Sequence, residues 1–129
     1  MKYICAEQGS FVPASHERSD APGVLKRVIA TAAELQHGQV QMLNWARLPG
    51  GSSFQPHYHE DMQEAFVLIS GSVRMTCGDQ DVDMKPGDCV LVDPREIHRM
   101  QNLLSTDAEY VVFGISSGQG GRTIVVTVD

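Results

Sequence analysis

The chain of 129 residues is long enough for one domain with a hydrophobic core, and its 42% hydrophobic and 20% charged residues are ordinary for a soluble globular protein. Its net charge of −6 argues against nucleic-acid binding, which needs basic patches. No run approaches the roughly 20 apolar residues of a membrane span, and the first residues lack the apolar stretch of a signal peptide. We therefore expect a cytoplasmic protein whose partners include neither nucleic acid nor a membrane.

Residues 1–23 are the least regular part of the sequence. From residue 6 onward this stretch is polar and contains two prolines and two glycines, which predicts an irregular arm that crosses the surface. We interpret His16, which lies in this arm, as a solvated loop histidine. Residues 24–129 are then expected to form the folded domain.

About ten short segments rich in β-forming residues follow, separated by turns that contain glycine and proline. None shows helical periodicity, so the pattern predicts an all-β barrel or sandwich. One segment, Val40–Leu48, alternates imperfectly between apolar and polar residues. This is expected of a strand with one face in a core and the other in a partly polar pocket. Its Arg47 is either a surface charge or an anchor for an anion in that pocket.

The three cysteines, Cys5, Cys77 and Cys89, are odd in number and do not cluster in the sequence. This usage indicates reduced thiols in the core of a cytoplasmic protein rather than a disulfide framework. Cys89 also begins the apolar run Cys89–Val92, which is typical of a buried strand.

Three histidines and one glutamate suggest a metal site. His57 and His59 are separated by one residue, so on an extended strand both side chains point to the same face. Glu64 begins the next apolar run and His98 stands at the head of another, and their side chains can meet the pair if these strands are neighbours. Such a set suits a divalent first-row ion. A single His-x-His pair is, by itself, more typical of a surface turn.

Glycines at fixed distances frame this pair. Gly51 precedes the pair by five residues, Glu64 follows it after four more, and Gly71 follows Glu64 after six. This spacing resembles the first motif of the cupin superfamily at every position.

A second cupin-like motif follows. Gly87, His98 and Asn102 stand at the family spacing, whereas Pro94 falls one place late and Arg95 occupies the position of the family glycine. The turn before His98 is therefore expected to differ in shape from that of the family, and an arginine near the site is specific to this chain.

The resemblance implies a single-domain cupin, that is, a double-stranded β-helix or jelly-roll-like barrel, formed by residues 24–129. It further implies one divalent transition metal (Fe, Mn, Zn, Ni, Co or Cu) inside the barrel, bound by His57, His59, Glu64 and His98. Because the edges of a small open barrel can be covered by another chain, and because family members pair, we expect a homodimer.

Three classes of function are compatible with these expectations. The first is a metalloenzyme of the dioxygenase, isomerase or decarboxylase type that acts on a small molecule. The second is a non-catalytic small-molecule binding protein, and the third is a metal-free cupin similar to the sugar epimerases. No catalytic residue can be assigned from the sequence. Strand parity and charge nominate five residues to contact a small-molecule ligand: Arg47, Phe66, Met75, Arg95 and Met100.

Overall fold

The structure, a computed structural model, describes residues 2, 4–5, 7–35, 39–116, 118 and 121–127. These residues form eleven strands and no helix. The strands are β1 (Val12–Pro13), β2 (Leu25–Thr31), β3 (Val40–Leu48), β4 (His57–His59), β5 (Met62–Ser70), β6 (Val73–Cys77), β7 (Gln80–Met84), β8 (Cys89–Val92), β9 (His98–Gln101), β10 (Ala108–Ser116) and β11 (Thr123–Val125). Over the part of the chain described, there is accordingly no helix with the length and apolar character to cross a membrane.

The strands form two antiparallel sheets, which confirms the all-β cupin architecture predicted from the sequence. The first sheet has the order β1-β2-β3-β10-β5-β8, and the second has the order β11-β4-β9-β6-β7. Most neighbours within a sheet are distant in sequence, so each sheet is assembled from both halves of the chain. This arrangement brings β4, β5 and β9 close together.

The core lies between the two sheets. Leu48 and Leu68 from the first sheet, and Met75, Met84 and Met100 from the second, are almost completely buried there. Each such side chain contributes about 1.5–3 kcal/mol by leaving water. The alternation of buried and mostly half-buried residues along β10 and the second half of β3 follows directly from the two-residue repeat of a strand.

The run Cys89–Val92 forms β8, but the prediction that it is a buried strand is wrong. Among the described strands, β8 pairs with β5 alone and lies at the edge of its sheet. Cys89 and Leu91 share the outer face of this strand and are exposed, whereas Val92 on the other face is buried. The three cysteines are free, as expected, but Cys5 and Cys77 are only half-buried, so none of the three is a core thiol.

The N-terminal segment packs against the barrel through Glu17. β1 forms a short antiparallel pair with β2. Beyond it, the carboxylate of Glu17 accepts a hydrogen bond from the backbone N–H of Gly23 (2.6 Å) and another from that of Gln55 (2.9 Å). Gly23 is needed at its position because a Cβ atom there would lie 1.9 Å from the carbonyl oxygen of Ser53. The loop between β1 and β2 is thus fixed beside the start of β4.

Candidate metal centre and ligand cavity

Both sheets contribute to the predicted metal site. His57 and His59 lie on β4, and the pairing of β4 with β9 sets His57 opposite His98. Glu64 lies on β5 in the other sheet and faces the three imidazoles. One ligand atom from each of the four residues lies within 4.8 Å of the others, and all four side chains are buried. The structure therefore brings together the four residues that the spacing nominates.

Backbone carbonyl groups orient the three imidazole rings. The Nδ1–H of His57 donates to the carbonyl of Gln55 (2.7 Å), and that of His98 donates to the carbonyl of Glu96 (3.0 Å). The Nδ1–H of His59 donates to the carbonyl of Gly121 (3.2 Å). In a neutral imidazole with its proton on Nδ1, the Nε2 atom carries a lone pair. Each ring is therefore held with a potential metal-ligating atom directed inward.

The inward atoms have no hydrogen bonds to satisfy them. The Nε2 atoms of His59 and His98 lie 2.8 Å and 3.1 Å from the same oxygen, Oε1 of Glu64. All three atoms are buried, and none has a hydrogen-bond partner of acceptable geometry. Buried polar atoms without partners are rare in folded proteins. Two imidazole nitrogens and a carboxylate oxygen crowded in this way fit a divalent transition-metal ion.

The protonation states of the site also fit a metal. Burial, together with the neighbouring His16 and His98, lowers the pKa of His57 to about 3. Burial raises the pKa of Glu64, but the adjacent His59 and His98 outweigh this effect, and the pKa falls to about 2. Near neutral pH His57 is thus a neutral imidazole and Glu64 is a carboxylate. These are the forms that coordinate metals.

His16 belongs to this site, so its interpretation as a solvated loop histidine is wrong. Its side chain is only 17% exposed, and its ring centroid lies 4.1 Å from that of His57 and 5.7 Å from that of Phe54. Burial is the main reason why its pKa is lowered to about 4. Because Glu17 fixes the loop, the preceding residue is placed over the metal ligands. The local sequence carries no periodic signal of this contact.

A cavity of about 330 Å³ is lined by three of the four ligands, His57, His59 and Glu64. Its wall consists of the inner faces of β2, β3, β5 and β10 together with the loop that carries His16. Phe66, one of the nominated ligand contacts, lines this cavity. Sequence reasoning missed two polar residues of the wall, Lys26 and Asn44, as ligand contacts. They lie on strands whose inward face could not be identified from the pattern.

The other four nominated ligand contacts lie outside the residues described as lining the cavity. Arg47 points to the opposite face of β3, where it pairs with Glu109 (Nη2–Oε1, 3.1 Å) and stacks on Phe11. Met75 and Met100 are buried in the core between the sheets.

Arg95 is exposed in the turn before β9. Its φ of 70° is a conformation that favours glycine, which explains why the family has glycine there. Its backbone N–H donates to the carbonyl of His59 (2.7 Å), so Arg95 supports the metal site through its main chain. The turn therefore keeps a glycine-like backbone in spite of the substitution.

Two polar side chains close to the site in sequence, Asn102 and Gln63, do not contact the imidazole rings. Asn102 donates to the carbonyls of Leu48 and Thr106 and fixes the turn after β9. Gln63 donates to Asp93. Among the residues described, Thr123 is the one whose side chain contacts the Nδ1 atom of a candidate ligand. Its hydroxyl oxygen lies 3.0 Å from Nδ1 of His59.

Comparison with known proteins agrees with this geometry. Residues 44–114 match the sequence model of the cupin domain. The oxalate-binding protein of Thermotoga maritima is 31% identical over 78 residues, which cover 60% of this chain and 64% of that protein. The chain thus covers less than two thirds of the length of this relative.

Solved structures show the same fold. A predicted oxalate decarboxylase from Thermotoga maritima superposes with a TM-score of 0.79 at 24% identity, over 90% of this chain and 100% of the other. The polyketide cyclase RemF from Streptomyces resistomycificus superposes with a TM-score of 0.80 at 14% identity, over 100% of this chain and 87% of the other. At these identities, the likeness extends to the fold alone.

Proposed function

This chain belongs to the cupin family, and from that premise we propose that it holds a small carboxylate ligand on one divalent transition-metal ion. The ion is bound by His57, His59, Glu64 and His98. The observation that carries the proposal is the set of buried inward nitrogen and oxygen atoms without hydrogen bonds. When bound, the ion supplies the positive charge and the Lewis acidity that attract and chelate carboxylate oxygens.

The residues around the ion favour such a ligand. The cavity adjoins the ligand set, so a molecule in it reaches the ion. Phe66 and Val112 form apolar parts of its wall and limit the water that competes for the ion. The relative described as an oxalate-binding protein supports a small carboxylate as the ligand class.

Calorimetric titration tests this function. The purified chain is stripped with a chelator, reloaded separately with Mn²⁺, Co²⁺, Ni²⁺ and Zn²⁺, and titrated with oxalate and with acetate, a carboxylate that does not chelate through two adjacent groups. We expect oxalate to bind the metal-loaded protein and not the stripped protein. Binding that is indifferent to metal would contradict the proposal.

A second candidate function, catalysis at the same centre, is favoured by His16. This imidazole lies against a metal ligand, its Nε2 has no hydrogen-bond partner, and it is not one of the four ligating residues. In the neutral form it can accept a proton from a ligand held in the cavity. The metal-loaded protein is incubated with oxalate or other small carboxylates, and the products are analysed. Formation of a product distinguishes an enzyme from a binding protein. In an enzyme, the His16→Phe variant would lose turnover and keep ligand binding.

The expected homodimer also remains a proposal. The exposed residues Cys89 and Leu91 on the edge strand β8 are consistent with a second chain beside this edge. Light scattering at micromolar concentration should give twice the single-chain mass of 14.1 kDa. A single-chain mass would contradict it.

A further inference from the structure

Lys26 introduces a positive charge into the cavity from β2, a strand that carries none of the four metal ligands. It lies on β2, half-buried, and is the one lysine or arginine among the described residues that line the cavity. Its ammonium group forms no ion pair with any described residue, whereas Arg18, Arg47 and Arg74 are each paired with a carboxylate. An ammonium group that faces a cavity without a protein partner is available to a ligand.

A second polar group stands beside it. Lys26 is paired with Ala46 on β3, and Asn44 is two residues further along the same strand, so Lys26 and Asn44 share the inner face as diagonal neighbours. Asn44 is only 6% exposed, and its Oδ1 has no hydrogen-bond partner. An unsatisfied buried group of this kind is destabilising. Because Oδ1 is an acceptor, a hydrogen-bond donor of a ligand, such as a hydroxyl group, would satisfy it.

The charges of the cavity favour a doubly charged ligand. Among its described lining residues the carboxylate is Glu64, which belongs to the metal ligands. A divalent ion, this carboxylate and the Lys26 ammonium together leave two positive charges, which a dianion neutralises. The volume of about 330 Å³ lies at the lower end of the range for drug-sized ligands and is generous for a two-carbon acid.

We propose that the ligand is a small dianionic acid with two ends: a chelating end that reaches the metal centre, and a second anionic group, placed further along the molecule, that pairs with Lys26. This inference rests on the proposed function and narrows its ligand class. Lys26 is the residue that distinguishes diacids from monoacids of the same length. Hydrogen bonds to charged groups contribute about 1.5–3 kcal/mol, which corresponds to roughly 10- to 150-fold in affinity.

The test compares acids that share a chelating end and differ in the distal group. The Co²⁺-loaded protein is titrated calorimetrically with 2-oxoglutarate and 2-oxoadipate, and with the matched monoacids 2-oxopentanoate and 2-oxohexanoate. We expect at least one diacid to bind at least tenfold more tightly than its monoacid. In the Lys26→Met variant, which keeps most of the apolar stem and loses the charge, this ratio should fall to near one while monoacid affinity stays the same.

A matched control is Lys85→Met, because Lys85 is exposed in a turn outside the residues that line the cavity. It makes the same change in net charge and should leave the ratio unchanged. Equal binding of diacids and monoacids by the wild-type protein, or a preference for diacids that survives in Lys26→Met, would overturn the inference and leave metal-dependent carboxylate binding intact. If none of the four acids nor oxalate binds in a metal-dependent way, the proposed function and this inference both fail.

Discussion

The two sides of the cavity are held in place by different means. On the metal side, the three histidines lie on β4 and β9, whose positions are fixed by backbone pairing with neighbouring strands. On the loop side, the His16 ring lies against His57, and its loop is held by the buried carboxylate of Glu17 and by a few backbone hydrogen bonds, such as that from Ala14 to Val24. The first arrangement distributes its stabilisation over many backbone hydrogen bonds, and the second depends strongly on one side chain. Metal binding should therefore tolerate perturbation of the loop.

The largest effect should come from removing ligands on the metal side. In a His57→Ala/His59→Ala double variant, two of the four ligands are lost, and we expect metal content to fall from about one ion per chain to near zero. Elemental analysis of the purified, dialysed protein measures this. The His16→Phe variant, which removes a histidine of the same cavity but no ligand, should keep its metal. Equal metal content in the double variant and the wild type would refute the ligand assignment.

The next effect should come from releasing the loop. Glu17→Ala leaves the N–H groups of Gly23 and Gln55 without their charged acceptor, which should lower the free energy of unfolding by about 3 kcal/mol or more. Urea denaturation measures the loss. Trypsin should also cleave faster after Arg18, which is exposed in the loop.

Two comparisons sharpen the result on the loop. The Glu17→Gln variant keeps one acceptor oxygen and should lose less stability than Glu17→Ala. Metal content should be unchanged in both variants, because Glu17 is not a ligand. If the loop variants lost their metal, the two sides of the cavity would not be independent.

The pH dependence of the stability of the metal-free protein should reflect both His16 in the loop and His57 on β4. The pKa values of His16 and His57 are lowered from 6.5 to about 4 and about 3, mainly by burial. Below pH 6.5 the unfolded chain therefore binds protons that the folded chain does not, so stability is complete above this pH and falls as the pH is lowered. Each histidine contributes a slope of up to about 1.4 kcal/mol per pH unit.

Urea denaturation of the chelator-treated protein between pH 6.5 and 5 measures the contribution of histidines, because carboxylates titrate mainly at lower pH. In His16→Phe, which keeps an aromatic ring against His57, the slope should decrease by the contribution of one histidine. An unchanged slope would mean that His16 is protonated equally in the folded and unfolded chains.

The smallest effect concerns the turn before β9. Arg95 has a φ of 70°, which is strained for a residue with a Cβ atom. Arg95→Gly relieves this strain but makes the unfolded chain more flexible, so we expect a net stabilisation of at most about 1 kcal/mol. A thermal melt should show an increase of a few degrees at most. Arg95→Ala removes the same charge and retains the strain, so a comparable gain in that variant would show that the backbone is not the cause.

The sequence predicts the metal ligands better than it predicts the loop that carries His16. A pattern with a two-residue period fixes which side chains share a face of a strand, so His57 and His59 could be placed together and the glycine framework could place Glu64 and His98. No such rule applies to the loop, because His16 reaches the site through tertiary contacts of Glu17.

The alternation of side chains along a strand also does not show which face points toward the cavity. In β3 it separates Asn44 from Arg47 but does not say which faces the cavity, and the structure selects Asn44. Edge position is likewise invisible in an apolar run. Cys89–Val92 has the composition of a central strand, yet β8 has a neighbour on one side alone.

The division of the ligands between the sheets has a mechanical consequence. The three histidines belong to one sheet and Glu64 to the other. An ion held by all four would therefore act as a cross-link between the two halves of the sandwich, much as a disulfide does between two segments of chain. Loss of the ion would leave every backbone ladder intact while freeing the sheets to slide against each other. The metal would then govern how rigidly the cavity keeps its shape, as well as what it can bind.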